Sequence, residues 1–219
     1  MTKSRLALVA ALAFAALVGA WFVTSPGNTD IAGAAFAQDV SDVDTSGVKE
    51  MVQGADDAPV TLIEYASFTC PHCARFHSDV YPELKANFIE TGKVKFIHRE
   101  VYFDRQGLWA GIVARCGGGE GYFSIIDQIY AQQASWTRAG DAQAIVGALR
   151  TIGKTAGLTD AQLDACLTDA DHAEALYAAF VKNAEADGVR STPTLIVNGT
   201  NHSNMSYTDL ARVLERAAN

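Results

Sequence analysis

The chain of 219 residues is poor in basic side chains. It has 17 lysines and arginines against 25 aspartates and glutamates, which gives a formal net charge of −8 at pH 7. Binding to nucleic acid, or to an anionic membrane surface, requires clustered positive charge. The composition therefore argues against both kinds of partner, and we predict that the protein binds no nucleic acid.

Cysteine is scarce as well, because the chain contains only four. Cys70 and Cys73 have the spacing of half a zinc site, but zinc would need two further ligands close by, and His77 offers one. A haem attachment site would require histidine where Ala74 stands. The sequence therefore predicts no metal site and favours disulfide chemistry for its thiols.

Long apolar runs are absent except at the N-terminus. There, Lys3 and Arg5 precede the apolar segment Leu6 to Val23, an order typical of an export signal. Two outcomes remain open. The segment is removed by cleavage after Ala37, which ends a small-x-small pattern, or it is retained as an inner-membrane anchor with a short tether. In both cases the folded part faces away from the cytoplasm.

Residues 38–57 are rich in small and polar side chains and show little apolar periodicity. This composition predicts a tether, with a possible short strand at Val48 to Val52. The remaining residues, about 160, suit one domain with a sizeable core.

Two strand patterns separated by a helix pattern follow the tether. Val60 to Tyr65 is an apolar run, and Val94 to Phe103 has alternating character. The helix pattern between them starts at Pro71 and contains Pro82, which should bend or break the helix. Because a helical crossover joins the two strands, we expect them to form a parallel pair.

The second half of the chain is mainly helical in pattern. From Arg105 to about Asp187, apolar residues recur at helical spacing, which predicts a helical insertion rather than a second α/β unit. A strand and a turn are predicted at Thr194 to Gly199, and Ser206 begins a capping pattern for a closing helix.

Cys70 stands where the helix pattern begins. A thiol at a helix start meets unpaired backbone N–H groups and the positive end of the helix dipole, and both favour the thiolate. Cys73 lies one turn further in, so we predict that Cys70 is the nucleophile and Cys73 the shielded, resolving thiol. A partly charged His72 would favour the thiolate further. The alternatives to this redox pair are an inert disulfide and half a zinc site.

The segment Glu64 to Cys73, with Cys70-Pro71-His72-Cys73 at its end and Thr192-Pro193 far downstream, resembles the DsbA-type thiol:disulfide oxidoreductases of the bacterial periplasm. The resemblance covers roughly residues 58–217, including the order of elements. It implies an α/β protein with a thioredoxin fold, formed by residues 58–104 and 188–219, that carries an inserted α-helical domain at residues 105–187. It also implies a periplasmic location.

The resemblance assigns roles to residues around the cysteines. It makes Pro71 and His72 part of the catalytic motif. It also implies a cis bond between Thr192 and Pro193 that faces the disulfide and leaves the Thr192 backbone free to bind an extended substrate segment. The alternative is an ordinary trans proline at the start of an edge strand.

Glu64 lies in the middle of an apolar strand pattern, six residues before Cys70. A buried carboxylate needs a hydrogen bond or a raised pKa, and in this position it could relay protons to Cys73. The resemblance supports this proton relay. The alternative is a carboxylate at a strand edge, exposed to water.

The remaining thiols, Cys116 and Cys166, lie in the helical insertion. If Cys70 pairs with Cys73, the other possible disulfide joins Cys116 to Cys166, and our hypothesis is that this bond is structural. Two buried free thiols are the alternative.

The resemblance implies a monomeric dithiol oxidase that donates the Cys70–Cys73 disulfide to reduced exported proteins through a mixed disulfide. It implies no bound cofactor, and a DsbB-like quinone-linked membrane oxidoreductase as the partner that restores the disulfide. A disulfide isomerase or reductase is the alternative within the class. A metal-binding or chaperone module without turnover is the alternative outside it.

Overall fold

The computed structural model describes residues 39–218. The predicted export segment, Leu6 to Val23, and the predicted cleavage site after Ala37 lie outside the described residues. Within the described range, no helix is both long enough and apolar enough to cross a membrane.

Five strands form one mixed sheet. In chain order they are β1 (Met51–Gln53), β2 (Val60–Ala66), β3 (Val94–Glu100), β4 (Thr194–Val197) and β5 (Thr200–Ser203). Their spatial order is β1-β3-β2-β4-β5. The central strands β2 and β3 are parallel, with Val60 opposite Val94, as the sequence predicts. The outer strands β1, β4 and β5 all pair antiparallel to their neighbours.

The helices lie between and after these strands. They are α1 (Pro71–Asp79), α2 (Tyr81–Leu84), a π-helical turn (Lys85–Ile89), α3 (Arg105–Cys116), α4 (Gly118–Ala131), α5 (Gln133–Trp136), α6 (Ala142–Thr155), α7 (Asp160–Leu167), α8 (Ala170–Ala186) and α9 (Tyr207–Ala217). All the regular structure between β3 and β4 is thus helical. The fold is the α/β arrangement that the sequence predicts.

Buried and partly exposed side chains alternate along β3, so one face of the strand packs into the core. Val94, Phe96, His98 and Glu100 are buried, whereas the residues between them are partly exposed. Two of the four core-facing positions therefore carry ionisable side chains, and burying such groups is costly unless they find polar partners. The core beneath the sheet must contain a polar network.

Pro82 breaks the first helix, as its ring and missing N–H group predict. Helix α1 ends at Asp79, and Pro82 lies in the first turn of α2, where a proline removes no helical hydrogen bond. The strand predicted at Val94 to Phe103 ends earlier, at Glu100, because Asp104 caps α3 by accepting a hydrogen bond from the Gly107 N–H group.

The prediction of a tether over residues 38–57 is wrong for its C-terminal part. Met51–Gln53 forms β1 and pairs with β3, with Met51 opposite His98, and Met51 is buried. The physical reason is that β3 would otherwise present an unpaired edge, and β1 satisfies its backbone groups. The predicted short strand exists, displaced toward the C-terminus.

Strand β5 is absent from the sequence prediction, which ended the sheet with a turn at Gly199. Asn198 and Gly199 both have positive φ, at 45° and 82°, as a two-residue hairpin turn requires. The following polar segment Thr200–Ser203 therefore folds back onto β4, although it has no apolar alternation.

Candidate active site

Cys70 is the N-cap residue of α1. Its backbone is extended, with φ −82° and ψ 118°, and no side chain caps the helix. Pro71 occupies the start of the helix, where its fixed φ is favourable. The free N–H groups of the first turn are therefore available to the half-buried Cys70 side chain.

Hydrogen bonds shift the acidity of Cys70. The largest cause is the Cys73 thiol, which donates to the Cys70 sulfur and helps to lower the pKa of Cys70 to about 5. Burial acts in the opposite direction. The Thr192 hydroxyl and the backbone N–H groups of Cys73 and His72 donate as well, and each lowers the pKa further. Cys70 is therefore a thiolate at neutral pH.

Cys73 has the opposite environment. Its side chain is fully buried, and burial raises its pKa far above the ordinary thiol range. The hydrogen bond to Cys70 and the negative charges of Glu64 and Cys70 act in the same direction. Both cysteines are free thiols in this structure, which therefore represents the reduced form.

The backbone N–H group of His72 is one of the donors that lower the pKa of Cys70. The His72 side chain is exposed, and its Nδ1 lies 2.8 Å from a guanidinium nitrogen of Arg75. Stabilisation of the thiolate by a partly charged His72 ring stays a prediction.

Thr192 and Pro193 lie beside the cysteines, as expected from the resemblance. Their peptide bond is cis, and the Thr192 carbonyl oxygen is 3.5 Å from Cys70 Sγ. Thr192 thus has two opposite effects on the sulfur. Its carbonyl accepts from the thiol form, whereas its hydroxyl donates to the thiolate. The Thr192 backbone is adjacent to the atom that a substrate would attack.

Glu64 is fully buried in the middle of β2, so the exposed alternative is wrong. Its Oε2 lies 3.0 Å from Nε2 of His77, a residue on α1 four positions after Cys73. Residues at this spacing share one helix face, and here that face meets the sheet. His77 was predicted only as a possible zinc ligand and was missed as the partner of Glu64, although its spacing from Cys73 is visible in the sequence.

A polar network lies next to this pair in the core, with the His98 ring 5.7 Å from that of His77. His98 is fully buried, and burial lowers its pKa to about 4. Its two ring nitrogens lie 2.8 Å from the Tyr122 hydroxyl and 3.3 Å from the Tyr130 hydroxyl. Tyr122 in turn donates to Glu100, which accepts two hydrogen bonds from Arg115. This network satisfies the polar groups on the core face of β3.

Glu64, His77 and His98 are also the candidate metal ligands of the described region, since their donor atoms lie within 4.8 Å of one another. Their chemistry does not favour an ion. His98 uses both ring nitrogens for tyrosine hydroxyls, and His77 Nε2 is bonded to Glu64. Binding a metal would break these hydrogen bonds, so we assign these three residues to the internal network.

Two further contacts hold the loop that carries Cys70, and no pattern in the sequence indicates them. Gln133, in α5, donates from Nε2 to the carbonyl oxygens of Phe68 and Cys70, at 2.7 and 2.9 Å. Asp104, the N-cap of α3, accepts from the Thr69 hydroxyl at 2.7 Å. The helical insertion thus fixes the backbone on which the nucleophile lies.

Cys116 and Cys166 are joined by a disulfide in the structure. The bond connects the last residue of α3 to α7, with the Cα atoms 5.9 Å apart and a separation of 50 residues. It belongs to the helical insertion, and the site described above contains neither cysteine. The structure thus brings together Cys70, Cys73, Thr192, Pro193 and Glu64, with the backbone of His72.

Comparison with known proteins points to one family. The thioredoxin family model matches residues 46–216. A Rickettsia bellii protein provisionally named as a protein-disulfide oxidoreductase is 34% identical over 169 residues, which are 77% of this chain. The chain spans 64% of the length of that relative. Disulfide bond formation protein D of Bacillus subtilis is 45% identical over 56 residues, 26% of this chain and 25% of that protein.

Solved structures show the same fold. Wolbachia pipientis alpha-DsbA1 has a TM-score of 0.71 and 24% identity, covering 78% of this chain and 92% of its own. Oxidised BdbD from Bacillus subtilis has a TM-score of 0.66 and 22% identity, covering 77% of this chain and 92% of its own.

Proposed function

Because the chain belongs to the thioredoxin family, we propose that it is a protein-disulfide oxidoreductase that donates its Cys70–Cys73 disulfide to other proteins. One observation carries the proposal, namely the contrast between two neighbouring thiols. Cys70 is half-buried with a pKa lowered to about 5, whereas Cys73 is buried with a raised pKa. In such a pair, a substrate thiolate can reach the sulfur of Cys70, whereas the sulfur of Cys73 is protected.

The reaction proceeds by two thiolate displacements. A substrate thiolate attacks Cys70 Sγ, the Cys70–Cys73 bond breaks, and Cys73 leaves and takes up a proton. A second substrate thiolate then attacks the substrate sulfur of the mixed disulfide, and Cys70 leaves as a thiolate. The substrate loses two electrons and gains a disulfide, and the enzyme gains two electrons as the Cys70/Cys73 dithiol.

The acidity of Cys70 sets the direction of this exchange. A thiol with a low pKa is a good leaving group, so the second displacement is fast. The donors around Cys70 stabilise the reduced form, which makes the disulfide more oxidising. We therefore favour a dithiol oxidase over the reductase or isomerase alternative.

Glu64 serves as the proton relay of Cys73 in this proposal. Cys73 has no exposed surface, so its proton must pass through neighbouring groups. Glu64 is the buried carboxyl close enough for its charge to raise the pKa of Cys73, and its Oε1 has no hydrogen-bond partner among the described residues. A free carboxyl oxygen at this position is suited to accept the proton.

The cellular setting is part of the proposal. The predicted export segment supports a periplasmic protein, either released after Ala37 or anchored in the inner membrane by Leu6 to Val23, and acting on reduced exported proteins. The resemblance supports a DsbB-like quinone-linked membrane oxidoreductase as the partner that regenerates the disulfide. Electrons move between sulfur atoms only, so no bound cofactor is required.

Two measurements on the full chain test the function. The oxidised protein is mixed with a reduced dithiol peptide, and its reduction potential is measured against glutathione. We expect stoichiometric peptide oxidation and a potential well above that of thioredoxin, which is about −270 mV. A potential near the thioredoxin value would favour the reductase or isomerase. No peptide oxidation would favour a chaperone or a metal-binding module, and metal titration of the reduced protein separates these two.

A further inference from the structure

The Glu64–His77 pair has a free atom at each end. Oε2 and Nε2 are hydrogen-bonded to each other at 3.0 Å, which leaves Glu64 Oε1 and His77 Nδ1. Neither atom has a hydrogen-bond partner in the described part of the chain, although both are buried. Leaving a buried polar atom unpaired costs about 1–3 kcal/mol, so two in one pair call for an explanation.

His77 also forms part of the wall of a cleft on the surface. The cleft has a volume of about 610 Å³ and lies between α1, the α2 region and α4. Its wall includes exposed residues such as Arg75 and Ser78, so the cleft is in contact with solvent. The imidazole ring is thus the group between the buried Glu64 carboxyl and a solvent-filled space.

Ionisable groups surround the ring on every side. Glu64 approaches from β2, and the rings of Tyr81 from α2 and Tyr130 from α4 lie with their centroids 4.8 and 4.1 Å from that of His77. The His98 ring on β3 is 5.7 Å away. Asp127 on α4 also lines the cleft, and burial raises its pKa while the charges of His77 and Lys85 oppose this shift. The remaining charged groups of the cleft wall are Arg75, Lys85 and Glu90.

We propose that His77 is the outlet of the proton path from Cys73, passing protons between Glu64 and solvent in the cleft. This inference rests on the proposed function. Before transfer, Glu64 is a carboxylate whose Oε2 accepts a hydrogen bond from Nε2 of the His77 imidazolium, which also carries a proton on Nδ1. The Cys73 S–H bond then breaks and Glu64 Oε1 receives the proton. The Nδ1 proton leaves for the cleft, so Glu64 becomes a neutral acid and His77 a neutral imidazole that still donates from Nε2.

This path gives each free atom a role, because Oε1 receives the proton of Cys73 and Nδ1 releases one. The pair carries no net charge before or after transfer. A buried pair that gained a charge would incur a large desolvation cost. Run in reverse, the same path protonates Cys73 when it leaves as a thiolate during substrate oxidation.

The test isolates the Cys73 step in the full-length reduced protein. The mixed disulfide of Cys70 with glutathione is formed at low pH, the pH is raised to 7, and release of glutathione is followed by acid quench and mass spectrometry. The variant His77→Gln keeps a side-chain amide that can donate to Glu64 but cannot transfer a proton. We expect glutathione release to slow on the order of 10²-fold in His77→Gln, because general acid–base catalysis supplies about that factor.

A second variant tests proton transfer directly. His77→Ala leaves space beside the cleft that free imidazole can enter, and we expect added imidazole to restore most of the rate. Ser78→Ala, a change in the same cleft wall, is the matched control and should release glutathione at the wild-type rate. A merely structural role of His77 predicts near-normal release in His77→Gln and no response to imidazole, and either result would overturn the inference.

The experiment distinguishes a failure of the His77 inference from a failure of the proposed function. Formation of the mixed disulfide requires only the Cys70 thiolate, so it should proceed at the wild-type rate in all three variants. If wild-type protein fails to form or resolve the mixed disulfide, the proposed function is wrong. If the wild-type protein performs both steps and His77→Gln does so equally fast, only the role of His77 is wrong.

Discussion

The two cysteine pairs of this chain show how environment decides what sulfur does. Cys70 and Cys73 lie at a helix start, free and reduced, with hydrogen-bond donors directed at one of them. Cys116 and Cys166 join two helices of the insertion as a disulfide. Cys116 Sγ lies 3.3 Å from the carbonyl oxygen of Gln162, and a carbonyl cannot stabilise a thiolate. The first pair is suited to exchange its bond and the second to keep it.

The largest contrast should appear in activity. We expect Cys70→Ser to reduce peptide oxidation to the uncatalysed rate, since the serine oxygen cannot form the mixed disulfide. The matched variant with both Cys116→Ala and Cys166→Ala should retain the wild-type rate per folded molecule. Residual oxidation by Cys70→Ser, or loss of activity in the double variant, would contradict the assignment of one pair to catalysis and the other to structure.

The next effect concerns stability. The Cys116–Cys166 bond closes a loop of 50 residues, so removing it should lower the free energy of unfolding by about 4 kcal/mol in the chain-entropy model. Denaturant unfolding of the double alanine variant and the wild type, both with Cys70 and Cys73 reduced, measures this value. A loss below about 1 kcal/mol would mean that the bond does not constrain the unfolded chain as proposed.

The pH dependence of alkylation sharpens the comparison within the active pair. Iodoacetamide should react with Cys70 along a titration curve centred near pH 5, whereas Cys73 should remain protected up to alkaline pH. At pH 7 an ordinary thiol is about 3% thiolate, so Cys70 should react roughly 30-fold faster than the same residue in denaturant, if nucleophilicity is equal. A midpoint near the ordinary thiol value of about 8.5 would contradict the assignment of Cys70.

The same shift predicts the pH dependence of the stability of the reduced form. The pKa of Cys70 is lower in the folded than in the unfolded chain, so the unfolded chain binds more protons between pH 5 and 9. The stabilisation from Cys70 is therefore fully present above about pH 9 and is lost as the pH falls through about 5. Cys73 titrates outside this window. Denaturant unfolding of the reduced protein across the window measures the slope.

The smallest effect comes from one hydroxyl. Thr192→Val removes the side-chain donor to Cys70 and should raise the pKa of Cys70. A hydrogen bond of this kind contributes about 1 kcal/mol, which corresponds to a pKa rise of about 0.7 and to roughly a threefold lower alkylation rate at pH 5. Thr192→Ser retains the hydroxyl and should behave like the wild type. If both variants react equally, the Thr192 hydroxyl does not stabilise the thiolate.

The parts of the site that the sequence predicted are those set by local rules. A proline after Cys70 and an apolar strand before it predict a thiol at a helix start, and the structure places Cys70 there as the N-cap of α1. The parallel pairing of β2 and β3 follows from the crossover between them. The Asn198-Gly199 turn predicts a hairpin, yet β5 was missed because its polar sequence has no strand pattern.

The parts that could not be predicted depend on contacts between distant segments. Gln133 reaches the Cys70 loop across 63 residues of sequence, and nothing around Gln133 indicates this contact. His98 is an ionisable residue on the core side of β3, and its tyrosine partners come from α4. Pairing of this kind is decided by tertiary packing.

Gln133 links the reactivity of Cys70 to the position of the helices in the insertion. Its amide donates to the carbonyl oxygens of Phe68 and Cys70, and the Cys70 carbonyl also accepts the first hydrogen bond of α1, from the Ala74 N–H group. One side chain of the insertion is therefore bonded to the start of the helix that carries the Cys73 and His72 donors of Cys70. A displacement of α5 relative to α1 would thus register as a change in the acidity of residue 70.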